Sequence, residues 1–244
     1  MSTITGVGLP TIQSSVSAFA PLPGPRPGQK GELVELGRII GDETGKYSDD
    51  DKNKASIRFQ EIAYTNLFDY SLEERQEYTA LTEGSSYRKR VQAAEEKYGR
   101  FQEQYLMNGK RGPGIADDIA RLKAQVAFFD QLTPFEKSIP SFDGVRERAI
   151  ALIGMKERMQ ARVDAGAFVY GTPKSETRDP EAKLILDLYD NIMSIRRRPD
   201  GTTIIPPEFA PYMQRGYELL GKGGFGTIQD TISLSPQARR AMGA

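Results

Sequence analysis

The amino-acid sequence predicts a mainly α protein: an irregular multi-helix bundle built around an antiparallel helical hairpin at about 86–132, with at most one short two-stranded β-ribbon. Three observations carry that prediction. From Glu32 onward, apolar residues recur at steps of three and four, the spacing of one helix face. Helix-capping and helix-breaking residues punctuate those runs. Strand-like runs are few and short, Phe168 to Tyr170 and Thr203 to Ile205 being the most β-prone.

Residues 1–30 read as an unstructured N-terminal segment ending in a Pro/Gly linker, since Pro alternates with other residues between Pro21 and Gly28 and cannot continue a helix. Helices are expected near 31–41, 51–69, 72–83, 86–108, 114–132, 143–165, 180–197 and 207–221. Ser71 with Glu74 forms a capping box ahead of Leu72, and Thr133 precedes Pro134 and Glu136 in the same arrangement. Asp179 before Pro180 and Ser235 before Pro236 repeat the cap-then-proline start. Asn108 and Gly109 end one helix, Gly112 to Gly114 opens the next, and Asp164 to Gly166 closes a third.

The hairpin prediction rests on two matched stripes. Tyr87, Val91, Ala94, Tyr98, Phe101 and Tyr105 form one, and Ile115, Ile119, Leu122, Val126 and Phe129 the other. A short loop between two such faces folds them back on each other. Neither is long enough to stand alone, so flanking helices should cover them, through Val145, Ala149, Leu152, Met159 and Val163 and through Ile185, Leu188, Ile192 and Ile195. The two β-prone runs are expected to pair with each other, the second launched by the turn Pro199, Asp200, Gly201. The domain organisation is then a segment 1–30, a helical domain 31–221, and a Gly-rich loop and tail with a short helix over 222–244.

Composition excludes much chemistry. The 244 residues carry 33 Lys and Arg against 33 Asp and Glu, with no His, Cys or Trp. Imidazole proton shuttles, thiol nucleophiles and zinc sites built on soft or imidazole ligands are therefore ruled out. The charge balance holds locally too, so no basic groove for nucleic acid is expected. No apolar run approaches the roughly 20 residues of a membrane helix, and no membrane insertion is expected. A Sec signal would need a positive start and an apolar core, and residues 1–25 contain neither.

The motifs that imitate chemistry have plainer readings. Gly221, Gly223 and Gly226 have the spacing of the phosphate loop of protein kinases, which they resemble, but none of the strand Lys, catalytic Asp or metal-binding Asp follows them. Asp49, Asp50 and Asp51 begin like a calcium loop, yet Lys54 occupies the required Gly position and Gln60 the bidentate Glu position. They are expected to complement a helix N-terminus. Glu73 and Glu74, Glu95 and Glu96, and Asp117 and Asp118 are adjacent on helices, so neither member of a pair converges on one substrate atom with the other. No catalytic, cofactor-binding or metal-binding residue is nominated, and no cofactor is expected.

Residues 1–25 hold no charged residue, and the tail contains Leu-Ser-Pro-Gln-Ala over 234–238. With a body free of Cys and His, these ends resemble substrates of bacterial flagellar and type III export systems. The resemblance implies a non-enzymatic helical protein, exported by a Sec-independent route with Met1 to about Ala20 as its address. It would act by binding proteins, an export chaperone or apparatus component among them, with the hairpin as scaffold. A second expectation is an adaptor or regulatory protein of the bacterial cytoplasm. It would grip its partner with helix 180–197 and segment 199–228, through Arg196, Arg197, Arg198, Ile204, Ile205, Phe209 and Phe225, read as exposed. A third is a carboxylate-dependent enzyme with its site in a groove between helices.

Overall fold

The computed structural model describes residues 31–107, 114–197 and 202–221. Among them the protein is mainly α, with nine α-helices and one two-stranded antiparallel ribbon. The expected linker 1–30 and the tail 222–244, with its Gly-rich loop, lie outside the described residues.

The N-terminal helices are α1 (Glu32–Ile40), α2 (Asp49–Thr65), α3 (Leu72–Thr82) and α4 (Ser86–Gln102). Leu33, Leu36, Ile39 and Ile40 of α1 are buried against Ala55 and Ile62 of α2 and Tyr78 of α3. The approach of α1 to α3 depends on small residues: a Cβ on Gly41 would sit 2.0 Å from the Leu81 carbonyl oxygen. Capping boxes start α2, where Ser48 and Asp51 exchange hydrogen bonds, and α3, where Ser71 and Glu74 do. The three Asp at 49–51 stand in the first turn of α2, Asp50 paired with Lys54 at 2.6 Å and Asp49 with Arg90. Two buried polar relays tie these helices together. Glu32 accepts from Arg58 Nε at 2.8 Å and from the Tyr70 hydroxyl at 2.6 Å. The Tyr87 hydroxyl donates to Asn53 Oδ1 at 2.7 Å, and Asn53 Nδ2 donates to Ser138 Oγ at 2.8 Å, joining α2, α4 and α6 (Pro134–Ser138).

The C-terminal helices are α5 (Ile115–Asp130), α7 (Val145–Asp164), α8 (Pro180–Asp190) and α9 (Ala210–Leu219). Here α7 is the hub. Ala149, Ile150, Ala151, Ile153, Met155 and Met159 are all buried in one cluster with Leu122 and Val126 of α5, Ile185 and Leu188 of α8, and Met213 and Tyr217 of α9. The single stripe expected for this helix was too narrow. Neighbours on several sides bury Ile150, Ile153 and Met155 as well.

Between the two clusters lies an aromatic knot. Tyr98 packs on Phe128, Phe129 and Phe142 with ring centroids 5.2 to 5.6 Å apart, and Phe101 stacks on Phe128 at 4.7 Å. Gln125 Nε2 donates to the Tyr98 hydroxyl at 2.9 Å. The α4 and α5 stripes therefore meet through this knot rather than face to face along their lengths. Ile115, Leu122 and Val126 are turned onto α7 instead, because α7 offers the wider apolar surface. Val91 and Phe135 pack against both the knot and the N-terminal cluster, so those two run into each other.

Two expected elements take a different form. The helix expected over 180–197 ends at Asp190, followed by a 3-10 turn (Ile192–Ser194) and the strand β1 (Arg196–Arg197). Its ribbon partner is β2 (Thr203–Ile204), with Arg196 opposite Ile204 and Arg197 opposite Thr203, not the run 168–170. Phe168 instead turns into the C-terminal core, which removes its neighbours from strand pairing. The turn residues 198–201 lie outside the described residues.

Candidate functional site

α8 begins where Asp179 caps Glu181 and Pro180 occupies the first turn. Its inner face, Ala182, Ile185 and Leu188, is buried in the C-terminal core. Its outer side carries Lys183, Asp187 and Asp190, the last two paired with Lys174, and apolar residues are exposed at its flanks. Leu184 and Tyr189 are about half exposed, and Met193 just beyond the helix is 68% exposed. Beside them, the segment after α7 exposes Val169 at 73% and Tyr170 at 55%.

Lys156 of α7 brings one ring of each segment together. Its Nζ lies 6.0 Å from the centroid of Tyr170 and 5.8 Å from that of Tyr189. The same ammonium pairs with Asp118 at 2.9 Å. Burial opposes its charge, but the Asp118 hydrogen bond and charge, with the two tyrosines, outweigh burial and raise its pKa. Burial likewise opposes the Asp118 carboxylate, and Lys156 and Arg121 overcome it to lower its pKa. The lysine thus lies between two exposed aromatic rings.

The expected contact residues fare unequally. Arg196 is exposed and makes no side-chain hydrogen bond or ion pair among the described residues. Arg197 is pinned, its Nη1 donating to the Lys137 carbonyl at 2.6 Å. Ile204 and Ile205 are half-buried, Ile205 packing on the C-terminal core. Phe209 was expected on the surface and is fully buried, because the 3-10 turn Pro207–Phe209 drives its ring into the core beside Met213. Arg198 and Phe225 lie outside the described residues. Leu184, Tyr189, Met193, Val169 and Tyr170 were not singled out from the sequence. A helix with apolar residues on more than one face was the available signal.

Beneath the ribbon, Asp143 is half-buried and accepts the backbone N–H of Arg197. Arg148 of α7 donates from Nη1 to the Ile195 carbonyl at 2.8 Å. Burial pushes the Asp143 carboxyl up to about 6, against the Arg197 N–H and the Arg148 and Arg197 charges, with Glu147 adding to the rise. Of the remaining carboxylates, Glu74 sits in its cap, Glu95 accepts from Ser141 Oγ at 2.8 Å and Glu96 lies near Arg100. Among the described residues no group of three or more acidic side chains is placed to hold a metal ion, and no helix is long and apolar enough to cross a membrane. Comparison with protein-family models, curated proteins and solved structures finds no match.

Proposed function

We propose that the protein is a non-enzymatic binding protein whose partner is another protein chain seated on the outer face of α8. The observation that carries this is the exposure of Tyr170 and Tyr189 side by side at Lys156, with Val169 and Met193 exposed near them in the chain. Contiguous exposed apolar surface on a folded chain is the usual mark of a protein contact, and tyrosine suits its centre. A photo-crosslinking residue placed at position 189 in the full chain is expected to yield one discrete protein adduct in the cells that make it. Tyr170→Ser with Met193→Ser should remove that adduct. An adduct indifferent to those substitutions, or none, ends the reading.

The charge-free residues 1–25 and the run 234–238 support placing that partner in a flagellar or type III export system. Deleting residues 2–20 is expected to abolish secretion while leaving the helical body folded. Unchanged secretion removes the export assignment and leaves an adaptor acting through the same face.

A further inference from the structure

Between Asp164 at the end of α7 and Pro180 at the start of α8 the chain runs without regular structure. Connections of this length are uncommon in a folded domain, and those that occur often serve as lids or binding loops. Two posts hold this one. Phe168 is buried in the C-terminal core, and Arg162 grips Asp179 through two hydrogen bonds at 2.7 and 2.8 Å. Residues 169–178 lie between the posts and carry Tyr170, one of the two rings at Lys156.

This stretch is bonded mostly to itself. The Thr172 N–H and hydroxyl donate to the Val169 carbonyl at 3.1 and 2.7 Å, and the Glu176 and Thr177 N–H groups donate to the Pro173 carbonyl at 2.9 and 3.1 Å. Among the described residues no backbone hydrogen bond joins 169–178 to another element. Two side chains reach out instead. The Tyr170 ring lies 6.0 Å from the Lys156 ammonium, and Lys174 pairs with Asp187 and, at 3.2 Å, with Asp190, one turn apart on α8. Lys174 and its two partners are 40 to 66% exposed, and ion pairs so open to water hold weakly and are screened by salt. Thr177 Oγ1 is buried with no hydrogen-bond partner among the described residues, so lifting the stretch into water would relieve it.

We propose that residues 169–178 are a strap latched to α8 by Lys174, and that the latch decides whether Tyr170 stands beside Tyr189. Closed, the strap sets both rings at Lys156 and completes the surface that a partner meets. Open, it carries Tyr170 away and leaves Tyr189 alone. Lys174 is a positioning residue, acting on the partner through Tyr170. This rests on reading the two rings as a binding surface and supplies its regulation, because ionic strength and the charge on Lys174 set the strength of the latch.

The chain has no Cys, so Ser175→Cys with Leu184→Cys, both at exposed positions, places two spin labels across the latch and nowhere else. Dipolar spectroscopy on the full chain at 0.1 M salt should give one narrow distance from the closed strap. Lys174→Glu brings three carboxylates together and should move most of the population to longer, broader distances. Lys174→Arg keeps the charge and should keep the narrow distance. Lys174→Glu with Asp187→Lys and Asp190→Lys reverses every sign in the latch and should close it again. Raising salt to 1 M, which shortens the screening length from about 10 Å to about 3 Å, should broaden the distribution of the unsubstituted latch. The yield of the position-189 adduct should fall at least fivefold in Lys174→Glu and recover in the triple variant, with thermal melting showing all forms folded. Distances that ignore Lys174→Glu, or that the triple variant does not restore, overturn the proposal. An adduct yield that ignores an opened strap also overturns it, and leaves the binding face standing. If the unsubstituted latch gives no adduct at position 189, the binding function falls, and the spin-label distances alone judge the strap.

Discussion

Gly154 of α7 and Gly216 of α9 each lie against the other's helix backbone. A Cβ on Gly154 would come within 2.0 Å of the Tyr212 carbonyl oxygen, and one on Gly216 within 2.1 Å of the Ile150 carbonyl oxygen. The two helices approach so closely because neither has a side chain at the crossing. That contact positions α9 and the buried Phe209 that leads into it.

Gly216→Ala should therefore force α9 away from α7 and destabilise the fold by about 1–3 kcal/mol, the usual cost of overpacking. Gly99→Ala in α4 is the matched control, since nothing lies within 4 Å of its added carbon. It should stabilise by about 0.5–1 kcal/mol through helix propensity alone. Urea unfolding of the two variants should show shifts of opposite sign.

Asn53 carries the relay between Tyr87 and Ser138 in a buried position. Asn53→Ala leaves the Tyr87 hydroxyl without its acceptor and should cost about 1–3 kcal/mol, the penalty of an unsatisfied buried polar group. Tyr87→Phe with Asn53→Ala removes both partners of that bond. The double variant should lose less than the sum of the two single losses, read as a coupling energy by denaturant unfolding.

Two carboxylates should give opposite pH responses. Asp143, raised by burial to about 6 in the fold from an ordinary 3.8, binds its proton more tightly folded than unfolded. Its contribution is full below pH 3.8 and is lost as pH rises toward 6. Asp42 is held down to about 2, first by the Thr44 hydroxyl at 2.6 Å and then by the Tyr47 N–H at 3.1 Å. Its contribution is full above pH 3.8 and is lost as pH falls toward 2. Carboxyl carbon NMR titration should place the two midpoints on either side of 3.8. Asp143→Asn should raise stability at pH 7 and flatten the response between 4 and 6.

Tyr189→Ala should change stability by no more than about 0.5 kcal/mol, because the ring is half exposed and its helix is anchored by Ile185 and Leu188. Partner capture at the α8 face should nevertheless fall at least tenfold. A melting curve together with a binding isotherm separates the two effects, and a large loss of stability would show that the ring is part of the fold.

The local physics of this protein is written in the chain. Ser71 with Glu74 and Thr133 with Glu136 cap helices because the groups that satisfy the first N–H donors are three residues away. The spacing of apolar residues shows the helices, since a periodic stripe needs no partner to be recognised. Which stripe meets which is another matter. The α5 stripe turned to α7, Arg196 and Arg197 became a strand instead of a helix end, and Phe168 and Phe209 went inward. Each outcome depends on residues far apart in sequence: Ile195 held by Arg148, α9 drawn in by two glycines, Tyr170 and Tyr189 gathered around Lys156. The sequence by itself determined the helices, their ends and the absence of imidazole and thiol chemistry. Tertiary structure alone decided which apolar side chains stay outside, because exposure is settled by the competition of all faces for a finite core.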